Sequence, residues 1–282
     1  MKRSISIRVG QGSQSHNSRL FTAENVDADR TEFNIEYSNE NIKSVYHELF
    51  DDALENYNAK QKRSDRKIDN YYEKIRIGKQ EKLFHEVIVQ VGDKDNMTSK
   101  SDNGLRAKEI LNEYMEGFQE RNPNLRVFSA HLHMDEATPH LHIDFIPFME
   151  NSKRGLEKRV SLKQALATQG FKGTGRSDTE WNQWVQSEKE ILSNVMEKHG
   201  IEWEHLGIHE EHLSVLDYKK QERAIEVKVL EGKKTTLEKQ ITSMENIIEN
   251  METDVDQLVY DIDKSLPEAA ALESAKSYRE KK

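Results

Sequence analysis

Cysteine is absent from this 282-residue chain, which excludes a disulfide scaffold, a thiolate zinc site and a cysteine nucleophile. Long apolar runs are missing too, so no membrane-spanning helix is expected. The opening segment MKRSISIRVGQG has basic residues with no apolar stretch behind them, and no secretory leader is expected either. Hydrophobic residues make up 35% and charged residues 33%, so the core must be concentrated in part of the chain. These features suit a protein of a reducing cytoplasm, with room for one sizeable domain and an appendage.

The net charge of −9 argues weakly against a nucleic-acid partner, but the average hides segregation. Residues 1–19 carry Lys2, Arg3, Arg8 and Arg19 with no acid. Lys60–Lys82 holds nine bases against four acids, and Asn151–Arg176 seven against one, whereas Glu24–Glu55 holds ten acids and two bases. A phosphate backbone responds to the local field, so this pattern permits a basic groove on an acidic body. Charge runs are also ordinary solvated faces.

Residues 1–215 read as mixed α and β. Ser4–Val9 alternates like a strand and is followed by a polar, glycine-containing loop through His16. Asn41–Tyr72 is helical in pattern, in two pieces. Leu83–Val91 is β-branched and strand-like. Leu105–Arg121 is an amphipathic helix closed by Asn122-Pro123, and Glu180–His199 is another, ending before Gly200. Leu125–His133 and His140–Phe148 are apolar alternating runs separated by MDEATP. The order predicts an α+β fold: an antiparallel sheet of about five strands flanked by helices.

Residues 216–265 predict a long coiled-coil helix. Val227, Leu230, Leu237, Ile241, Met244, Ile248, Met251, Val255, Leu258 and Ile262 keep a period of 3.5, broken where Lys234 takes one seam position. A seam this narrow needs a partner helix, and self-association into a homodimer is the simplest solution. A helix folded back on its own domain is the alternative. Residues 266–282, opened by Pro267, read as a flexible polar tail.

The chemistry concentrates in Ser129–Pro147. His131 and His133 share one strand face, and His140 and His142 share another. A tight hairpin over Met134–Pro139 places His133 opposite His140 and His131 opposite His142. Opposed Cβ atoms lie roughly 4.5–5.5 Å apart, close enough for imidazoles to converge on one ion. Asp135 and Glu136 supply carboxylates in the turn, which harden the site toward Mn²⁺ or Mg²⁺. A histidine-rich surface hairpin without function is the competing reading. His205, His209 and His212 share helical spacing but read as incidental.

His133-Met134-Asp135-Glu136-Ala137-Thr138-Pro139-His140-Leu141-His142 resembles the His-x-Asp-Glu-x-Thr-Pro-His-U-His motif of the MobV plasmid mobilization relaxases, also called Mob/Pre plasmid recombination proteins, in the HUH endonuclease superfamily. His16-Asn17-Ser18-Arg19 resembles the family's His-Asn-x-Arg segment, and Asn34–Tyr37 its Asn-Tyr element less closely. His131 is an extra histidine that the motif does not call for. The resemblance covers roughly residues 1–210. It implies an HUH relaxase fold and metal-dependent nicking of one plasmid strand at an origin of transfer, with the 5′ end left covalently attached. The implied partners are plasmid DNA and the conjugative coupling machinery. It assigns His133, His140 and His142 as metal ligands and His16 as nucleophile, and on chemical grounds Glu136 could accept the proton from the other nitrogen of His16. Arg19 would clamp the phosphate or orient the DNA end. Tyr37 is the runner-up nucleophile, with Tyr46 behind it.

Candidate phosphate contacts are Lys62, Arg63, Arg66, Lys67, Lys153, Arg154, Lys158 and Arg159, with Lys172 and Arg176 in a glycine-punctuated loop. Trp181 and Trp184 could stack on unpaired bases, although their spacing favours core packing. Two rival functions stand beside this one. His131-Leu132-His133-Met134-Asp135 also reads as His-x-His-x-Asp, a hydrolase pattern in which His131 is a ligand. A coiled-coil DNA-binding protein without enzymatic activity is the other.

Overall fold

A computed structural model describes residues 1–205, 215–265 and 275–281, which fall into two compact units, residues 1–207 and 208–282. The first unit begins with β1 (Lys2–Arg3), β2 (Ile5–Val9) and the one-turn helix α1 (Gln14–Asn17). A 3-10 segment over Ala28–Phe33 leads into β3 (Ile35–Asn39), α2 (Ile42–Ala59), α3 (Tyr71–Ile77) and β4 (His85–Val91). Then come α4 (Asp102–Glu116), α5 (Phe118–Arg121), β5 (Leu125–His133), β6 (His140–Met149), β7 (Arg159–Val160), α6 (Leu162–Thr168), α7 (Glu180–Lys198) and β8 (Glu202–Trp203). The second unit holds α8 (Val215–Ser265) and α9 (Ala275–Lys281).

The helices start where a side chain can satisfy an orphaned backbone N–H. Asn41 accepts from Lys43 N, Ser101 from Gly104 N and Thr179 from Asn182 N at the heads of α2, α4 and α7. The expected second piece of Asn41–Tyr72 is displaced: α2 stops at Ala59, and α3 starts only at Tyr71, capped by Asn70. The cluster of bases over residues 60–67 separates them, with a 3-10 turn at Ser64–Arg66. β3, α6 and α1 were not anticipated, because each is too short for periodicity to register.

The main sheet runs β2–β4–β6–β5–β3 with every neighbouring pair antiparallel, and β7 adds to β6. That makes six strands, in keeping with the expected antiparallel sheet of about five, and β1 pairs with β8 in a separate parallel ladder. The two histidine strands are central. Their register is the one the spacing predicts: His133 faces His140 and His131 faces His142.

Alternation gives the sheet two different faces. On one face Val87, Val89, Leu132, Leu141, Ile143 and Phe145 form the main core with residues of α4, α6 and α7. Trp184 is buried in that core and donates its Nε1–H to Asn122 Oδ1 at 2.8 Å, so it packs and cannot stack on DNA. The other face is divided. Toward the end of β6, Ile146 and Phe148 join Phe128 beneath α2 and α3 in a second core. The rest of that face carries the polar residues of β5 and β6 and is roofed by the N-terminal segment.

α8 makes up most of the second unit. Its 51 residues extend about 75 Å, and the seam side chains from Val227 to Ile262 are 51–63% exposed. Among the described residues no helix is long and apolar enough to cross a membrane.

A candidate catalytic centre on the open sheet face

Rows of side chains cross the open face from strand to strand. The ladder partners Ser6, Gln90, His140 and His133 make one row. Arg8, Ile88, His142, His131 and Glu36 make the next. Glu86, Asp144 and Ser129 follow, with Gly10 at the β2 edge. The pleat therefore delivers four imidazoles and three carboxylates to one side while their neighbours fill the core.

The three expected ligand rings are adjacent. Centroids are 4.7 Å apart for His133–His142, 4.9 Å for His140–His142 and 5.3 Å for His133–His140. Their ligand atoms fall into two close sets that share His133. One set is His16, His133 and His142; the other is His133, Glu136 and His140. Within each set all atoms lie within 4.8 Å of one another. His140 Nδ1 bonds to Thr138 O at 2.7 Å and His142 Nδ1 to Glu86 Oε1 at 2.6 Å. Each bond fixes its ring and leaves Nε2 as the other donor atom. His142 Nε2 and His133 Nδ1 are buried with no hydrogen-bond partner. Burial, with the neighbouring imidazoles adding to it, pushes His133 down to about 2 and His140 to about 4. Both rings therefore stay neutral, which is the protonation state of a metal ligand. Unpartnered lone pairs beside a carboxylate fit a divalent cation.

His16 lies on α1 and reaches this cluster from above. Its ring makes edge contacts with His133 and His142 at 5.8 and 5.9 Å, and its Nε2 is 3.2 Å from Glu136 Oε1. Burial opposes ionisation of Glu136. The His16 hydrogen bond, the electrostatic influence of the His140 ring, and the charge and hydrogen bond of Arg19 outweigh it, so the carboxyl sits well below the usual range.

α1 is held down by a residue that the sequence reading did not single out. Glu86 of β4 accepts from His142 Nδ1, Asn17 Nδ2 (2.8 Å) and Gly12 N (2.6 Å). Asn17, 1% exposed, also reaches Asp144 Oδ2 at 3.2 Å, and its carbonyl meets His133 Nε2 at 2.9 Å. A Cβ on Gly10 would lie 2.0 Å from Glu86 Oε2, and Gly12 has a φ of +71°, so this close approach needs glycine at both positions. The available signal was an acid at the start of the apolar run HEVIVQV.

Arg19 does not stand free to grip a phosphate, contrary to expectation. Its Nε and Nη2 bond to Asp135 at 2.9 and 2.5 Å, Nη2 also bonds to Glu136 at 2.9 Å, and Nη1 to His16 O at 2.9 Å. Asp135 accepts further bonds from Thr31 Oγ1 and Asn34 Nδ2. A carboxylate bound this fully is occupied with holding the turn.

Other expected residues lie elsewhere. The Tyr37 hydroxyl donates to Asn112 Oδ1 on α4, and the ring packs against the main core, on the face opposite the histidines. Tyr46 donates to Leu83 O within the second core. His131 Nδ1 is 3.8 Å from Glu36, and its ring is 6.3 Å from His133. Lys153, Arg154, Lys158 and Arg159 follow the far end of β6, some nine residues or about 30 Å from His140. Lys158 pairs with Glu150 and covers Phe148. Lys62, Arg63, Arg66 and Lys67 border that same end, with Arg63 paired to Asp65. Lys172 and Arg176 lie between α6 and α7, on the opposite face. The structure does not gather these bases around the histidines. His205 stacks on Trp203, and His209 and His212 lie outside the described residues.

Solved structures similar to this chain are those of the MobM relaxase domain (MOBV; Mob_Pre), Mn-bound and in complex with plasmid pMV158 oriT DNA. The 22-nucleotide complex at pH 5.5 is 23% identical, with a TM-score of 0.46, over 77% of this chain and 99% of that one. The pH 4.6 form is 22% identical over the same shares, with a TM-score of 0.47. No curated protein matches. The family model of the plasmid recombination enzymes matches residues 7–220, which takes in α1, both histidine strands and α7. With that match across three-quarters of its length, the chain belongs to the Mob/Pre plasmid recombination enzyme family.

Proposed function

We propose that this enzyme nicks and rejoins one strand of plasmid DNA at an origin of transfer, by transesterification onto His16, to initiate conjugative mobilization. The observation that supports this most is the convergence of His16 with Glu136, His133 and His142 from separate elements. His133, His140 and His142 would hold Mn²⁺ or Mg²⁺, and such an ion would polarise a scissile phosphate and offset charge growing on its oxygens.

The chain's own groups then account for the covalent step. His16 Nε2–H faces Glu136, which leaves Nδ1 with the lone pair that attacks phosphorus. The Nδ1–phosphorus bond forms as the bond to the 3′ oxygen breaks. The Nε2 proton passes to Glu136, and the departing oxygen takes up a proton to become a hydroxyl. Glu86 and Asn17 hold the α1 loop against the sheet, and Arg19 keeps Glu136 beside His16. The adduct retains the free energy needed for rejoining without ATP.

The hydrolase reading finds less support. It requires His131 and Asp135 at the ion, but His131 is outside both close sets and Asp135 is engaged by Arg19, Thr31 and Asn34. For α8, the exposed period-3.5 seam supports pairing with the same helix of a second copy. The bases at the far end of β6 suit a more distant part of the DNA.

The deciding experiment incubates supercoiled plasmid carrying the origin with the protein and Mn²⁺. A strand-specific nick with protein on the 5′ end is expected, abolished by chelation and restored by Mn²⁺ or Mg²⁺. The adduct should be acid-labile, as a phosphoramidate is. An adduct that survives acid and persists in His16→Ala would remove the histidine assignment, and undiminished cleavage in EDTA would remove the role of the ion.

A further inference from the structure

Directly after Arg19, Leu20 and Phe21 are 87% and 60% exposed. Other large apolar side chains of this unit are exposed singly, Val9, Phe33, Ile77 and Leu105 among them, but Leu20 and Phe21 are adjacent, and two neighbouring apolar side chains in water are costly. They are also not loosely tethered. Phe21 N–H donates to Ser15 O at 2.9 Å, which ties Phe21 to the residue before His16. On the other side, Arg19 is fixed by Asp135, Glu136 and the His16 carbonyl. The pair is thus tethered at the side of the nucleophile, at the end of a segment that carries Lys2, Arg3 and Arg8 and no acid, while Arg19 is paired with Asp135 and Glu136.

We infer that Phe21, supported by Leu20, is a stacking platform for the unpaired base that flanks the scissile phosphate. The inference rests on the nicking reaction proposed above and adds a positioning residue to it. An exposed aromatic ring offers any base a face to stack on, and the basic segment attracts the strand that carries it. Stacking there would fix the nucleotide beside the bond that His16 attacks, where the expected phosphate clamp, Arg19, is otherwise engaged.

The test uses the full chain and a single-stranded oligonucleotide spanning the nick mapped on the plasmid, either intact or with an abasic residue at each flanking position in turn. Phe21→Ala should raise the half-saturating concentration of intact oligonucleotide roughly tenfold, the scale of one base–aromatic stack. Phe21→Trp should restore it. At one flanking position, the abasic substrate should bring wild type and Phe21→Ala together. If the wild type nicks but Phe21→Ala loses equally on intact and abasic strands, or loses nothing, the platform is refuted while the nicking reaction stands. A Phe21→Ala variant that lowers the sedimentation mass would instead assign the pair to a protein contact. Absence of any nick by the wild type is the separate failure, that of the reaction itself.

Discussion

Arg19 and Asp135 are 116 residues apart in sequence and joined by two hydrogen bonds, through Nε at 2.9 Å and Nη2 at 2.5 Å. The same guanidinium reaches Glu136 and the His16 carbonyl. One planar fork thus connects the loop that carries the proposed nucleophile to the turn that carries its proton acceptor, and Asp135 sets the position of the fork.

A lysine cannot make these bonds together, because its ammonium is a point charge without a fork. Arg19→Lys is therefore expected to slow single-turnover nicking by roughly ten- to a hundredfold, the cost of displacing reacting groups by about an ångström. Far-ultraviolet circular dichroism should be unchanged. An unchanged rate would show that the linkage does not position His16.

Glu136→Gln keeps the shape of the side chain but removes its basicity. Nicking should fall by roughly 10² to 10⁴-fold, with origin binding retained in a gel-shift assay. Loss of binding in the same proportion as rate would point to a structural role for the carboxylate.

His85 gives a pH dependence that is independent of the catalytic centre. It lies on the core face, stacked on Phe145 at 6.2 Å and near Trp181. Burial, aided by the Lys82 charge, pushes it down from 6.5 to about 4. Between these values the unfolded chain binds a proton that the folded chain refuses. The stability is intact above pH 6.5 and is lost as pH falls through the window, by about 3 kcal/mol in total. Urea titrations at pH 7 and pH 4.5 should show this loss, and His85→Phe should reduce it. An identical loss in the variant would place its origin in other groups.

Deleting residues 215–282 removes the exposed seam of α8. If that helix pairs copies of the chain, sedimentation mass should fall by more than half on deletion, since the partner and the deleted segment are both lost, and the full chain should dissociate on dilution. A full chain already monomeric at micromolar concentration would leave the seam to another partner.

The two histidine strands were legible because strand alternation needs no tertiary information: a period of two fixed the shared faces, and the six-residue turn fixed the register. The family followed from the long motif for the same reason, that its residues are contiguous. Glu86 escaped notice because nothing local marks one acid in an apolar strand as the partner of His142 and Asn17, 56 and 69 residues away. The basic clusters could not be placed relative to the histidines for a related reason. Charge density along a chain does not say which end of a strand a loop adjoins, and Lys153 and Arg154 lie at the end remote from His140.

By itself, the sequence determined the strand faces, the pairing of four imidazoles, the helical seam and the family, all of which depend on residues close together in the chain. Only the tertiary structure decided which imidazoles lie together in space. His16 joins His133 and His142 through a loop latched by Asn17 and Glu86, whereas His85, in a strand of the same sheet, points into the core. That distinction depends on which face each strand turns toward a distant segment, and such packing is set by the whole chain.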